Sequence, residues 1–215
     1  MIKKITLLGM FSISIMSLAQ QKFSIIPSVG YAWRTGKTPA NLSREVSNHV
    51  KGLKSGLNFD ISAYYHLKGN TALGLKYSHF TASSNSDFRV RNDNGQTFYV
   101  NLNTRDNISF VGPSFMYSNF NDESRHKLYF DIALGVISYS SNTNGMKITG
   151  SNLGMDTNVG YQYAITKNFS IGPKFGFTAG TLSRVKMNGT SMDLGDNQKE
   201  SLHRVSLSAA AAFRF

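Results

Sequence analysis

Cysteine is absent from the 215 residues, and no run of about 18 apolar residues follows the first twenty positions. Without cysteine the chain has no disulfide framework, no thiolate metal site, no thiol nucleophile and no residue for a lipid anchor at a new N-terminus. Without a long apolar run it has no predicted transmembrane helix. The mature chain therefore either crosses a membrane with β-strands or does not cross a membrane at all.

The N-terminus has the three parts of a secretory signal. Lys3 and Lys4 form a positive region, residues 5–16 are apolar, and residues 17–19 read Ser-Leu-Ala, a small-x-small cleavage site. We therefore predict a signal peptide at residues 1–19 and a single mature domain at residues 20–215. An uncleaved helical anchor is the alternative.

Acidic residues are scarce: 12 aspartates and glutamates face 23 lysines and arginines, for a net charge of +11. Loss of two lysines with the signal peptide would lower +11 to +9. Because an exported chain does not meet nucleic acid, we expect none as a partner. Anionic lipid headgroups or surface polysaccharides are the expected counter-charges.

Apolar and polar residues alternate with a period of two through the mature region, and helical periodicity does not appear. Ile108 and Phe110 break this phase ahead of the fourth segment. The predicted fold is all-β, an eight-stranded antiparallel up-and-down transmembrane β-barrel. The eight segments are residues 23–34, 56–67, 73–78, 111–117, 128–136, 153–163, 169–180 and 204–215.

The connections between segments alternate between short and long, as they do in bacterial membrane barrels. The short connections are 68–70, 119–126 and 166–168, and the long ones are 35–51, 81–107, 140–151 and 183–203. Three long connections contain Asn-Gly, which favours a two-residue type I′ hairpin. A turn at Asn94-Gly95 would place Arg91 opposite Phe98 and Arg89 opposite Val100. The first long connection has Pro39 and no Asn-Gly, so we expect it to be irregular.

Two features favour a membrane barrel over a soluble lipocalin-like barrel, whose apolar face would point inward. The polar face is rich in Gly, Ala and Ser, which a narrow, side-chain-filled lumen requires. The aromatic residues of the apolar face also collect near the short-turn end, as a girdle at a lipid interface does. The predicted girdle comprises Phe23, Tyr65, Tyr117, Tyr163, Phe169, Phe213 and Phe215.

On this pattern the mature chain resembles the small outer-membrane β-barrel family of OmpX and the OmpA barrel domain. The last strand, which alternates and ends in Arg214-Phe215, is similar to the signal read by the outer-membrane assembly machinery. The resemblance implies a Gram-negative outer-membrane location, with contact to membrane lipid, to lipopolysaccharide and to that machinery. It leaves the function within the family open.

Charged residues on the predicted inner face must be paired or hydrogen-bonded, since burying an isolated charge is costly. The simplest interpretation is a structural ion-pair network, and the alternative is an ion or proton path. The predicted lumen network is Lys54, Asp60, His66, Lys76, Asp131, Asp156, Lys174, Arg204 and Arg214. No cofactor or metal site is predicted.

His79 and Thr81 have the spacing of the His and Ser in barrel deacylases of lipid A. Thr81 replaces the serine and no carboxylate is evident beside His79, so an interfacial histidine is the simpler interpretation. The basic residues of the long connections suggest attraction to anionic lipopolysaccharide or extracellular polymer instead. They are Arg34, Lys37, Arg44, Lys51, Arg89, Arg91, Arg105, Arg184, Lys186 and Lys199.

The sequence therefore predicts a non-enzymatic outer-membrane barrel with a surface-interaction or envelope-structural role. Two alternatives stay open: an accessory subunit of a larger envelope complex, with a protein partner, and a lipid A-modifying enzyme that works through His79.

Overall fold

The computed structural model describes residues 22–36, 42–91, 96–187, 189–195 and 199–215. These ranges contain eleven strands and helix α1 (Arg44–Gly52). The strands are β1 (Phe23–Arg34), β2 (Ser55–His66), β3 (Thr71–Arg91), β4 (Thr97–Ser118), β5 (His126–Thr143), β6 (Met146–Ala164), β7 (Phe169–Leu182), β8 (Arg184–Met187), β9 (Thr190–Asp193), β10 (Glu200–Ser201) and β11 (Arg204–Arg214). The predicted signal peptide lies outside the described residues. The helix described is too short to cross a membrane.

Eight of these strands form a closed antiparallel barrel. Strands β1 to β6 each pair with the next strand along the chain, and β11 pairs with both β7 and β1. The closing ladder runs from Ser24 opposite Arg214 to Arg34 opposite Arg204. The predicted eight-stranded architecture is confirmed.

Side chains alternate between a buried inner face and an exposed apolar outer face. Leu75 is 65% exposed and Leu153 is 77% exposed, whereas Lys76 and Asp131 are each 2% exposed. Apolar residues outside and polar residues inside are the arrangement of a barrel that spans lipid. The lipocalin-like alternative, with its apolar face inward, is wrong.

The fourth strand keeps its phase throughout. Ile108 and Phe110 are both fully buried and share the inner face with Ser114 and Met116. The expectation that they break the pattern is wrong. Side chains of β4 continue to alternate between the inner and outer faces, and only the type of residue on the inner face changes from polar to apolar. The upper lumen is therefore apolar.

The long connections continue as hairpins above the apolar belt. In the β5–β6 turn, Asn144 has φ 48° and Gly145 has φ 91°, and Thr143 pairs with Met146. Positive φ at both central residues is the type I′ geometry that Asn-Gly favours. In the β8–β9 hairpin Met187 likewise pairs with Thr190 across a two-residue turn. Both of these predicted hairpins are confirmed.

The β3–β4 hairpin forms, but its predicted register is wrong by one residue. Arg89 lies opposite Tyr99, and Phe88 lies opposite Val100. The barrel sets this register, because the ladder runs without a bulge from Thr71 opposite Tyr117 to Arg91 opposite Thr97. The Asn-Gly turn itself lies outside the described residues.

The first long connection contains α1, so the expectation of an irregular loop there is wrong. The Ser43 side chain accepts a hydrogen bond from the backbone N–H of Val46 at 3.3 Å, which caps the helix. Glu45 lies in the first turn, where a negative charge is favourable. The sequence pattern does not reveal this helix, because nine residues give too few turns for a visible helical period. Pro39 lies outside the described residues.

Ile132 tests the assignment of faces. It lies on the outer face in mid-strand, with Phe115 and Thr157 as its pairing partners, and Ala133 beside it is 1% exposed. We expect Ile132→Arg to lower the free energy of unfolding in lipid vesicles by about 2–4 kcal/mol, because arginine would enter the hydrocarbon. Denaturant titration measures the change, with Ile132→Leu as the control. A cost below about 1 kcal/mol would contradict a mid-membrane position.

Candidate functional site

The middle of the lumen holds a charge-balanced layer of buried ionic residues. Its acids are Asp60, Asp131 and Asp156, its bases are Lys76, Lys174 and Arg204, and all six are at most 4% exposed. Three negative and three positive charges leave the described layer neutral. A neutral layer avoids the cost of an uncompensated buried charge.

Lys76 is the centre of this layer. Its Nζ lies 2.5 Å from Asp131 Oδ1 and 2.8 Å from Asp156 Oδ1. The Asn158 amide donates to both carboxylates at 2.9 Å, and Thr178 donates to Asp156 at 2.6 Å. One ammonium and two neutral donors therefore hold two like charges together.

The other two bases act separately. Lys174 on β7 forms an ion pair with Asp60 on β2, which also accepts a hydrogen bond from Ser28 at 2.8 Å. Arg204 donates to Ser78 Oγ at 2.8 Å, and its guanidinium lies 6.0 Å from the centre of the Phe80 ring. These contacts cross the lumen and join distant strands.

Apolar clusters lie in the lumen on both sides of the ionic layer. The upper cluster packs Phe80, Ile108, Phe110, Ile137 and Leu182 with smaller neighbours. The lower cluster packs Ile26, Tyr64, Met116, Phe120 and Tyr129 with three alanines. The described lumen is thus filled with side chains, with apolar clusters on both sides of the ionic layer.

Glycines make room for this packing. A Cβ at Gly160 would lie 2.1 Å from the Tyr129 ring, and a Cβ at Gly180 would lie 2.6 Å from Ile137 Cγ2. These approaches are far inside contact distance, so neither position accepts a side chain without a shift. The small residues of the polar face therefore have a packing function, as a narrow lumen requires.

The short-turn end is plugged by Phe120, which is 1% exposed. Arg214 donates to the Phe120 carbonyl and to Asn121 Oδ1, the latter at 2.7 Å, and Lys127 donates to the same carbonyl at 3.1 Å. His66 lies beside this plug, 6.1 Å from Phe120 between ring centres, and hydrogen-bonds to Ser24 at 2.9 Å. Strand alternation carries no sign of the plug, because Phe120 lies in a turn.

The structure buries eight of the nine residues predicted for the lumen network: Asp60, His66, Lys76, Asp131, Asp156, Lys174, Arg204 and Arg214. The residues that form ion pairs are Asp60, Lys76, Asp131, Asp156 and Lys174. His66 and Arg214 lie at the plug. Lys54 does not join them. It lies half-buried before β2, at the long-connection end, and donates to the Gly36 carbonyl at 2.6 Å.

The residues predicted for the aromatic girdle lie at the short-turn ends of their strands. The Phe23 and Tyr65 rings meet at 5.1 Å between centres, as do those of Phe169 and Phe213. Phe23, Tyr65, Tyr117, Tyr163 and Phe213 are exposed, and Phe169 and Phe215 are half-exposed. Paired rings at one height are suited to a membrane interface.

At the opposite end, the described parts of residues 34–54, 81–107, 138–152 and 182–203 form what we call the crown. Arg34 holds its base together: the guanidinium lies 3.1 Å from Asp106 and 2.5 Å from Glu200, and 5.7 Å from the Tyr139 ring centre. Tyr139 also donates to Asp106 at 3.1 Å. Sequence reasoning missed Asp106 and Glu200, because their partner is 72 and 166 residues away.

His49 docks α1 onto the β3–β4 hairpin. It is 4% exposed, and its two ring nitrogens hydrogen-bond to Ser86 Oγ at 3.1 Å and Thr104 Oγ1 at 2.9 Å. Its ring also packs edge-on against Phe88 at 5.8 Å. One histidine therefore fixes the helix to both strands of the hairpin.

His79 faces outward at the upper edge of the apolar belt. Its Nδ1 hydrogen-bonds to Ser109 Oγ at 2.9 Å, and its ring stacks on Tyr77. Thr81 is the neighbour two residues along, and its pairing partners are Leu57 and Asn107. Within the described chain no carboxylate hydrogen-bonds to His79, so no acid orients this histidine as a catalytic base.

Lys76→Met tests the ionic layer. It would leave Asp131 and Asp156 as two buried like charges, and we expect the free energy of unfolding to fall by about 3–5 kcal/mol. Unfolding in detergent measures the loss. The control combines Lys76→Met with Asp131→Asn, which removes one acid with one base, restores neutrality and should recover most of the loss. Equal destabilisation of both proteins would mean that packing, not charge, dominates.

His49 makes the docking of α1 sensitive to pH. Burial lowers the pKa of His49 below its ordinary 6.5, while Asp106 acts in the opposite direction. The undocked helix therefore binds the proton more tightly than the docked helix. Docking should be strongest above pH 6.5 and weaken as the pH falls from 6.5 to the lowered value.

Amide exchange of residues 44–52 at about pH 7.5 and about pH 5.5, on either side of the ordinary histidine pKa, measures this effect. Faster exchange at the lower pH, after correction for the intrinsic rate, is the expected result. His49→Gln keeps a donor and an acceptor but cannot titrate here, so its corrected exchange should not change. An equal pH response in both proteins would exclude His49 as the cause.

No protein-family model and no curated protein matches the chain. Among solved structures, Neisserial surface protein A is 16% identical and gives a TM-score of 0.57, covering 90% of this chain and 97% of its own. A major outer membrane protein from Thermus thermophilus is 13% identical and gives a TM-score of 0.53, covering 90% of this chain and 98% of its own. At these identities the likeness concerns the fold, and the fold of this chain is that of the small, closed outer-membrane β-barrels.

Proposed function

We propose that this chain is a non-enzymatic outer-membrane protein whose crown contacts anionic polymer outside the cell. The observation that carries the proposal is the filled lumen with its charge-balanced ionic layer. Because apolar layers close it on both sides of the ionic layer, the barrel serves as a support and any binding falls to its surfaces. The membrane location is supported by the apolar outer face and by the fold of the two structures above.

The charge of the crown favours an anionic partner. The four segments that build it contain twelve basic and seven acidic residues. Arg89 and Arg105 are both exposed on the outer side of the β3–β4 hairpin. Arg89 donates to the Tyr99 hydroxyl at 3.0 Å and lies 5.6 Å from its ring centre, so the arginine is held in place. Exposed charges of this kind steer and orient a charged partner.

The order of the crown also supports a binding role. A membrane span needs only about 9–11 residues per strand, yet β3 has 21 and β4 has 22. The extra length is tied to α1 through His49, and the base of the crown is tied to β10 through Arg34. A pre-ordered surface loses less conformational entropy on binding than a disordered one.

The test is co-sedimentation of proteoliposomes with dextran sulfate, a soluble anionic polysaccharide, and with uncharged dextran. We expect binding to dextran sulfate alone, and we expect it to weaken as salt rises above about 0.1 M, because the charges involved are exposed. Arg89→Gln combined with Arg105→Gln should weaken this binding several-fold while the barrel remains folded.

The matched control is Arg125→Gln combined with Lys167→Gln, which removes two exposed positive charges at the short-turn end. Its binding should equal that of the unchanged protein. If both double variants lose binding equally, net charge accounts for the interaction and the crown has no special role. If dextran sulfate does not bind at all, the proposal fails.

A further inference from the structure

The outer face of β4, β5 and β6 changes from apolar to polar at one row of the sheet register. Val111, Val136 and Leu153 are neighbours in the sheet register, and all three are exposed. Because they lie in one row across three strands, they mark the upper edge of the hydrocarbon-facing belt on this side of the barrel. Rows above them meet the headgroup region.

The next row toward the crown consists of hydroxyls. Ser109 pairs with Ser138, and Ser138 pairs with Ser151, each two residues beyond the apolar row on its strand. The row after it contains Ser140, which pairs with Thr149. Two successive rows therefore offer hydroxyl donors on the same outer face.

Cations lie directly above and beside these hydroxyls. Lys186 on β8 pairs with Thr149, and Lys147 lies two residues from Thr149 on β6. Lys147 and Lys186 are both exposed. Arg184 lies on the same side of β8, and its Nε donates to Asp193 Oδ1 at 2.6 Å. The three bases and one acid leave this group with a net positive charge.

These side chains surround a concavity of about 450 Å³ on the outer wall, bounded by β4, β5, β6 and β8. The residues that line it include Ser109, Ser138, Ser140, Lys147 and Lys186. A concave site with converging hydroxyl and ammonium donors suits a phosphate group, which offers several acceptor oxygens.

The height of the site fits a lipid headgroup. Two residues along a tilted strand rise about 5 Å, so the row of Ser109, Ser138 and Ser151 lies about 5 Å above the last apolar row, within the polar layer. The Thr149–Lys186 row lies about 10 Å above the last apolar row, just beyond that layer. The polar layer of a bilayer leaflet is about 5–8 Å thick. A lysine side chain can bend down over this distance while its ammonium stays in the polar layer.

We propose that this concavity, which we name the β4–β8 site, binds the phosphate headgroup of a lipid in the outer leaflet. The inference rests on the membrane location given under Proposed function and adds a specific ligand class and position. The serine hydroxyls donate to the phosphate oxygens, Lys147 and Lys186 neutralise its charge, and the acyl chains lie against the row of Val111, Val136 and Leu153. The arrangement requires both the phosphate and the chains.

The test uses the full barrel folded in detergent and native mass spectrometry to measure bound lipid. The probes are lipid A with its phosphates, the same lipid A with the phosphates removed, and inorganic phosphate. We expect one high-affinity phosphorylated lipid A per barrel. Lys147→Gln combined with Lys186→Gln should weaken this binding about thirtyfold, the effect of two cations near a charged membrane surface.

The matched control is Arg44→Gln combined with Lys51→Gln, which removes two exposed charges from α1. It should bind phosphorylated lipid A as the unchanged protein does. Heat-shifted migration in dodecyl sulfate verifies that each variant has folded. Equal binding of dephosphorylated lipid A, equal binding of inorganic phosphate, or an unchanged affinity in the Lys147/Lys186 variant would overturn the proposal.

The lipid A experiment and the dextran sulfate experiment can fail independently of each other. Arg89 and Arg105 do not line the β4–β8 site, and dextran sulfate carries no acyl chain. A barrel that does not sediment with dextran sulfate but retains phosphorylated lipid A through Lys147 and Lys186 refutes the polymer-binding role and supports the lipid site. The reverse result supports the polymer-binding role alone.

Discussion

Pairing between β1 and β11 is the constraint on which the rest of the molecule depends, because it turns a sheet into a ring. In lipid every backbone donor and acceptor must be satisfied within the protein, and a closed ladder satisfies them without a free edge. Closure at eight strands also fixes a narrow interior. The small inner residues and the outward apolar face both follow from that closure.

A narrow interior must be filled, and this barrel fills it in three layers. The ionic layer around Lys76 lies between an apolar cluster that contains Phe110 and another that contains Phe120. Ion pairs in such surroundings add little stability over well-packed apolar residues, but removal of one partner is costly. Charge balance within the layer is therefore the condition that lets ionic residues remain in the core. The same filling closes the lumen and leaves the surfaces to carry function.

The ladder that closes the barrel also organises those surfaces. Because neighbouring strands keep one register beyond the apolar belt, Ser109, Ser138 and Ser151 form a row, and β8 brings Lys186 into line with the row above. The crown then gains order from contacts between segments: Arg34 joins the barrel rim to β10, and His49 joins α1 to the long hairpin. The proposed lipid contacts at the β4–β8 site and the proposed polymer contacts of the crown would thus lie at two heights of the same extended sheet.

The sequence alone determined what has a local physical cause. A period of two sets which face of each strand points outward, and Asn144-Gly145 has the backbone freedom that a type I′ turn requires. The eight strands, the outward apolar face and two of the hairpins could therefore be predicted. Most of the buried ionic residues could also be named, since their positions follow from the same alternation.

Only the tertiary structure decided features that depend on distant parts of the chain. The uninterrupted β3–β4 ladder that begins in the barrel, not the Asn-Gly turn, sets Arg89 opposite Tyr99. The inward position of Ile108 makes sense only beside the rest of the upper cluster, and α1 is held by a hairpin that follows it in sequence. Which acid pairs with which base, and which outer serines share a row with a lysine, are likewise properties of the closed ring. Residue type and spacing carry no information on such contacts. These contacts join residues on distant strands, whose relative positions are fixed only when the barrel closes.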